Sequence, residues 1–442
     1  MNIYFSDFFD VDPTILEEYG AFDISLINDL PLFIDPFLLF NSKKKRYQKL
    51  HYEIINYVRF LRDMAASDQI NAGLLKHWFF FPEVKQNWLG YSKVGNSGSG
   101  LGKKFATALH GNLNSIFQDF GDEKITQSSH LEKLCLIKDG VGRDNISDFT
   151  TNLIKGFLCK YTSKFSKKYL SDNQVQTLIV DHIKFNYQTR TWVRDEFTLP
   201  SIDGDFVLLC PKDILTKDDT WINRNDLVGD FKSIAESIQN NELRGLVNDY
   251  FSRMIPLHPK KKDVSHAVAR TVLQFPELID YYLKYKEDHG DEAEKLSSMR
   301  VFETENLFIH KVRDLIKSLS SHTDYHKTPW DTFEESYQRV KYLKQVIENN
   351  DGYRIFYVDG QPVKREADLQ LIFRLTWFAS PSDVNSEVNN GRGAVDYKIS
   401  RGSKDSTLIE FKLASNSKLK QNLAKQVQVY EKANQTKKSI KV

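Results

Sequence analysis

Residues 391–430, GRGAVDYKISRGSKDSTLIEFKLASNSKLKQNLAKQVQVY, read as two strands followed by a helix. Val395, Tyr397 and Ile399 alternate with Asp396 and Lys398, so the two-residue period of a strand puts Asp396 on the face opposite the apolar one. Gly, Ser and Asp within 401–406 supply a turn. Over 408–414, Ile409, Phe411 and Leu413 fill one face while Glu410 and Lys412 share the other. A carboxylate and an amine therefore stand beside a second carboxylate. From about Lys418 the period becomes helical, with Leu419, Leu423, Gln426 and Tyr430 at i, i+4, i+7 and i+11. An amide on that apolar stripe, Gln426, requires a polar partner.

Upstream, RIFYVDGQPV (354–363) places an Asp359-Gly360 turn between apolar runs, and READLQLIFRLTWFAS (365–380) carries Leu369, Ile372, Phe373, Thr376 and Trp377 at helical spacing. Glu366 heads that stripe, three residues before Leu369 and seven before Phe373. Glu387, just ahead of Gly391-Arg392-Gly393, is the competing acid. A first-turn glutamate is also favoured by the helix dipole alone.

The ordered set Asp396, Glu410-Phe411-Lys412 and Gln426-x-x-x-Tyr430 resembles the PD-(D/E)XK nuclease superfamily, in its RecB-like branch with a Q-x-x-x-Y element. The resemblance covers about the last 80 residues. It implies a restriction-endonuclease-like αβββαβ core with a mixed sheet and metal-dependent hydrolysis of phosphodiester bonds, in DNA ahead of RNA. By the same resemblance Asp396 and Glu410, the backbone carbonyl of Phe411 and a first-helix glutamate would hold Mg²⁺, with Mn²⁺ as substitute. Glu366 is preferred to Glu387 for that fourth place. Lys412 would orient the attacking water, its own pKa lowered beside the cation. Gln426 and Tyr430 would hold the metal's water shell or the scissile phosphate, and Arg392, Lys418, Lys420 and Lys425 would contact the nucleic-acid backbone. The family core ends in a further strand, which Ile440 and Val442 would begin. E-x-K spacing alone selects little: Glu83-Val84-Lys85 and Asp230-Phe231-Lys232 share it, without an aspartate strand before or a Q-x-x-x-Y segment after.

A chain of 442 residues exceeds one such module, and its 27% charged and 40% hydrophobic residues describe a globular protein. The pattern divides into a mainly helical region 1–120, a mixed α/β region with a small sheet 121–260, a charged helical connector 261–350 and the nuclease-like domain 351–442, an α+β multidomain architecture. Of the net charge of +2, residues 391–442 carry +8, from 12 Lys/Arg against four acids, leaving −6 elsewhere. Basic charge concentrated around the motif suits a polyphosphate ligand, and also a solvated lysine-rich face. The three cysteines match no zinc spacing, which favours a reducing cytoplasm, and neither a signal peptide nor a membrane span is indicated.

In the rest of the chain, Pro31 and Pro36 break LPLFIDPFLLF, and HYEIINYVRFLRDMAAS (51–67) has amphipathic helical spacing. GNSGSGLGKK (95–104) fails the phosphate-loop pattern at Ser97 and Lys104. Ser147 or Asp148 is expected to cap the helix that follows, and QTLIVDHIKFNY, TRTWVRDEFTLP and DFVLLCPKDIL have strand composition. A second metal site among Asp144, Asp148 and Asp181 or Asp205 lacks any lysine-bearing motif, and His322 and His326 fit a surface loop. A nuclease core joined to a long unrelated region is similar to bacterial restriction and anti-phage defence proteins, which implies an effector with a second copy of the chain or a defence-system protein as partner. The alternative is a non-catalytic nucleic-acid-binding or sensor module built on the same fold.

Overall fold

The computed structural model describes residues 3–27, 29–66, 70–90, 101–102, 106–107, 109–110, 120–137, 143–202, 204–217, 219–314, 331–349, 356–358, 361–362, 366–375, 377, 380, 382–389, 394–401, 405–413, 419, 436 and 438–442, for a few of them the backbone alone. Its architecture is mixed α/β and mostly helical, with small sheets and a four-stranded mixed sheet near the C-terminus.

The two prolines of LPLFIDPFLLF bracket a strand, and the second opens a helix. Strand β1 (Leu32–Ile34) pairs antiparallel with β5 (Leu215–Lys217), and α1 (Pro36–Asn41) follows at once. Pro36 occupies the first turn, where its missing N–H costs nothing, and Asp35 Oδ1 caps the helix by accepting from Phe37 N at 3.0 Å. Helix α2 (Lys45–Ala66) buries Leu50, Ile54, Val58 and Leu61 as one stripe.

Helix α3 (Arg143–Tyr169) packs on a long hairpin of β2 (Val175–Asn186) and β3 (Thr191–Ile202), which β4 (Asp205–Phe206) extends. Because α3 begins at Arg143, Ser147 and Asp148 lie inside it and cap nothing; Ser147 Oγ instead accepts from Ile34 N at 2.9 Å, tying the helix to β1. Of DFVLLCPKDIL only β4 and the start of β5 pair as strands. Its apolar middle is buried without a ladder, Leu208 N donating to Gln86 O at 2.8 Å and Leu209 N to Thr162 Oγ1 at 2.9 Å.

Helices α4 (Asn241–Met254), α5 (Lys261–Gln274), α6 (Leu278–Asp288) and α7 (Gly290–Glu305) follow. A buried polar network joins α6 to earlier segments. Glu287 accepts from Gln127 N at 2.8 Å and lies 2.9 Å from His130 Nε2, Lys133 Nζ reaches Asp280 at 2.8 Å, and Asp35 Oδ2 accepts from Trp221 N at 2.7 Å. Glu287, Lys133 and Asp35 thus each have a polar partner, the condition for tolerating such groups in the interior.

The C-terminal sheet has the order β11 (Ser439–Lys441), β10 (Asp405–Glu410), β9 (Ala394–Arg401), β8 (Asp383–Asn389). Helix α8 (Thr332–Asn349) lies across β9, β10 and β11, and a two-residue ribbon of β6 (Tyr357–Val358) and β7 (Gln361–Pro362) flanks the expected turn, whose residues 359–360 lie outside the described set. Then come α9 (Glu366–Leu375), β8 (Asp383–Asn389), β9 (Ala394–Arg401) and β10 (Asp405–Glu410), the three strands antiparallel in turn. Strand β11 (Ser439–Lys441) runs parallel to β10, with Ile440 opposite Ile409. The ladder continues past β10, Val442 N donating to Glu410 O at 2.9 Å and Lys412 N to Val442 O at 3.0 Å. Val395, Tyr397 and Ile399 are buried while Asp396 and Lys398 are half-buried, the alternation their spacing predicts.

Candidate active site in the C-terminal sheet

Three elements bring polar side chains together. Register sets Leu408 opposite Lys398 and Ile409 opposite Tyr397, so the next residue, Glu410, comes beside Asp396 on one face; Asp396 N lies 3.4 Å from Glu410 Oε2. The opposite face anchors α9. Phe373 packs against Phe411 and Tyr397 with ring centroids 4.9 and 5.7 Å apart, and the Tyr397 hydroxyl donates to Gln370 O at 2.5 Å. That seat presents the first residue of α9, Glu366, to the end of β10.

The centre of the group is the Lys412 ammonium. It donates to Phe411 O at 2.7 Å and lies 3.0 Å from Glu410 Oε1, 3.1 Å from Glu366 Oε1 and 3.9 Å from Asp396 Oδ2. Asp396 Oδ2 also accepts from Phe411 N at 2.5 Å. Side-chain exposure falls from 31% at Glu366 to 13% at Asp396 and 4% at Glu410, so Glu366 forms the rim and Glu410 the floor.

Burial first, then the charge of Glu410, pushes the Asp396 carboxyl up to about 7, against the Phe411 N–H and Lys412, which favour its ionised form. Burial likewise raises Glu410, partly offset by its hydrogen bond to Lys412. For Lys412, burial works against the charged amine, but the hydrogen bond to Glu410 and the charges of Asp396 and Glu410 outweigh it and raise its pKa.

Among the described residues no three His, Cys, Asp or Glu side chains are spaced to hold a metal ion. The donor chemistry nevertheless suits a hard cation: three carboxylates and a carbonyl surround one point, now taken by Nζ. Of the other expected site residues, Arg392, Lys418, Lys420, Lys425, Gln426 and Tyr430 lie outside the described residues, as does the side chain of Glu387 on β8.

The sequence look-alikes disperse. Lys85 pairs with Asp205 at 2.8 Å, and Asp230 borders the short helix that contains Lys232. Asp181 is exposed on β2, and among the described residues Asp144, Asp148 and Asp181 or Asp205 form no group that could hold a metal ion. His322 and His326 lie outside the described residues. What sequence reasoning missed is an acidic group made of Asp29, Glu83 and Asp148. Burial, then Glu83 and Asp148, pushes Asp29 up to about 8, and burial with Glu83 and Asp144 pushes Asp148 up to about 7. Nothing in the spacing of three acids from separate segments signals it.

The fold is thus mixed α/β with a four-stranded mixed sheet near the C-terminus and a carboxylate and lysine group at one end of its two central strands. Residues 10–223 match a family described as Domain of unknown function (DUF8370), and residues 332–442 match a second, Domain of unknown function (DUF8371), which begins with α8 and ends with the sheet. No curated protein and no solved structure matches the chain.

Proposed function

We propose that the protein is a metal-dependent nuclease whose hydrolytic site is Glu366, Asp396, Glu410 and Lys412. One observation carries the reading: side chains from α9, β9 and the end of β10 converge within 3.9 Å of one nitrogen, in the order of the PD-(D/E)XK pattern. The element order, a helix, three antiparallel strands and a last strand parallel to β10, supports it. Glu366, Asp396, Glu410 and the Phe411 carbonyl would hold Mg²⁺, or Mn²⁺ in its place, which supplies Lewis acidity to the phosphate and lowers the pKa of a bound water. The protein's own part is to fix these oxygens, through the sheet register and the Phe373–Phe411–Tyr397 packing, and to offer the Lys412 ammonium to the attacking water and to charge developing on the phosphate. Gln426 and Tyr430 complete the proposed site, and Arg392, Lys418, Lys420 and Lys425 the contacts to a nucleic-acid backbone, with DNA favoured over RNA.

No described helix is long and apolar enough to cross a membrane. A cytoplasmic effector of a restriction or anti-phage system, working with a second copy or a system partner, is the setting we favour. The test is incubation of the full chain with linear, circular and single-stranded DNA and with RNA, each with Mg²⁺, Mn²⁺ or chelator, beside Glu410→Gln. Metal-dependent cleavage lost in the variant supports the reading. Retention of nucleic acid with no cleavage under any condition would establish the non-catalytic alternative.

A further inference from the structure

The oxygens suited to a divalent cation already surround an ammonium. Lys412 Nζ has Phe411 O at 2.7 Å, Glu410 Oε1 at 3.0 Å, Glu366 Oε1 at 3.1 Å and Asp396 Oδ2 at 3.9 Å. This is a complete shell for an ammonium: its three donors face three acceptors within 3.1 Å, and the Asp396 carboxylate adds its charge at 3.9 Å. It is too wide for Mg²⁺, whose oxygens stand at roughly 2.0–2.1 Å. The shell cannot tighten around a metal while the ammonium stays inside it, because the two cations would claim the same oxygens and repel each other at contact distance.

We infer that Lys412 is the site's resident counter-ion and that metal and ammonium compete for one position, so that Lys412 must withdraw from Phe411 O, Glu410 and Glu366 before those oxygens close on a metal. The inference rests on the nuclease reading and adds how the site is kept in the meantime. Three carboxylates gathered at one end of the two central strands repel one another, and the side chains of two of them, Asp396 and Glu410, are only 13% and 4% exposed. An internal ammonium holds them in register. The lysine suits this double use: its charge is a compact point on a four-carbon stem, able to swing from the carboxylates to the substrate side without moving the backbone. The backbone is in any case pinned, Lys412 N donating to Val442 O at 3.0 Å. The ammonium thus reaches the attacking water as a consequence of metal entry, which couples loading of the site to arming of its lysine.

The consequence runs against the simple expectation that removing a non-ligand leaves metal affinity unchanged. Lys412→Met, which keeps the stem and deletes the charge, removes both the competitor and the repulsion, and Mn²⁺ should bind at least about tenfold more tightly. The experiment measures Mn²⁺ binding to the full chain by the loss of the free-ion electron paramagnetic resonance signal, for the wild type, Lys412→Met and Glu410→Gln. Alongside it, reductive methylation of the wild type is followed by peptide mass spectrometry, with and without Mg²⁺; this arm depends on no variant folding. The inference holds if Lys412→Met binds more tightly and Mg²⁺ increases methylation at Lys412. It is overturned if Lys412→Met binds equally or more weakly while Glu410→Gln abolishes binding, or if Mg²⁺ leaves Lys412 as protected as before; the metal site then survives. If none of the three proteins binds Mn²⁺, the nuclease reading itself falls, and the inference with it.

Discussion

Thr332 and Asp405 hold each other by two hydrogen bonds: the Thr332 N–H donates to Oδ2 at 2.9 Å and its hydroxyl to Oδ1 at 2.8 Å. Asp405 opens β10, so this pair fastens the first turn of α8 to the strand that ends in Glu410 and Lys412. Lys438 Nζ adds a bond to Asp405 at 3.0 Å just before β11. Three segments distant in sequence meet at one carboxylate.

Asp405→Asn should therefore loosen the C-terminal region by about 1–3 kcal/mol, the range for losing charged hydrogen bonds at a partly buried site. Burial pushes the Asp405 pKa up, yet the Thr332 N–H and Lys438 outweigh it and hold it below the usual carboxylate range. A folded pKa below the unfolded one gives stability that is present above about pH 4 and is lost as pH falls through the folded value. Thermal unfolding followed from pH 6 to pH 3 should show a steeper acid loss in the wild type than in Asp405→Asn. Parallel curves would show that the pair does not stabilise the fold.

The opposite sign is expected near the N-terminus. Asp29 is 6% exposed, its Oδ1 has no hydrogen-bond partner among the described residues, and burial followed by Glu83 and Asp148 pushes it up to about 8. A raised carboxylate pKa contributes stability that is complete below the unfolded value near 4 and lost as pH rises through the folded value. Stability should decline between about pH 4 and pH 8, with Asp148, pushed up to about 7, contributing to the same slope. Asp29→Asn should raise the melting temperature at pH 8 and flatten the profile over that window. A variant less stable than the wild type at pH 8 would mean that the ionised carboxylate is compensated.

Gly156 marks where α3 meets the hairpin. A Cβ there would stand 2.5 Å from Ile183 O and 2.9 Å from Ile183 Cγ2, next to the register shift between Val180 and Lys184 and to His182, whose φ is +58°. Backbone cannot yield as a side-chain tip would, so Gly156→Ala should destabilise by about 1–3 kcal/mol, although alanine gains up to about 1 kcal/mol in helix propensity. Urea unfolding of the pair decides between the two effects, and a more stable alanine variant would show that α3 can move off the hairpin.

Legibility in the sequence followed periodicity. The alternation about Asp396 and Glu410 and the apolar stripe headed by Glu366 were readable, because burial on one face imposes a period of 2 or 3.6, whereas the strand at Ile440 was expected from the family resemblance alone. Strand β8, DVNSEVN, was not, since Asp, Asn and Ser are poor strand formers and its ladder to β9 is a tertiary effect. The amphipathic face of α8 was visible as a helix, but periodicity does not name the surface it covers, here β9, β10 and β11. Ser147 and Asp148 misled as caps because local sequence cannot show that the helix continues N-terminally to Arg143. The Lys412 ammonium among its neighbours was hidden as well: spacing places side chains on a face without showing which oxygens a long side chain will reach.

The site chemistry separates residue by residue. Lys412→Ala removes a group that stabilises developing charge, so metal-dependent cleavage should fall by at least about a hundredfold, even while the metal binds more tightly. Asp396→Asn and Glu410→Gln should lose cleavage together with metal affinity, and all three proteins should still retain nucleic acid, since the basic segment around them is untouched. Glu366 lies 3.1 Å from Lys412 Nζ at the rim, so Glu366→Gln should raise the Mg²⁺ concentration needed for half-maximal cleavage, whereas Glu387→Gln should leave it unchanged. The control is the look-alike triplet: Lys85 pairs with Asp205, so Lys85→Ala should cost at most a little stability and no cleavage. Titrating Mg²⁺ against cleavage of labelled linear DNA for this set checks each assignment. Full activity in Lys412→Ala together with loss of activity in a folded Lys85→Ala would place the active site in the N-terminal half.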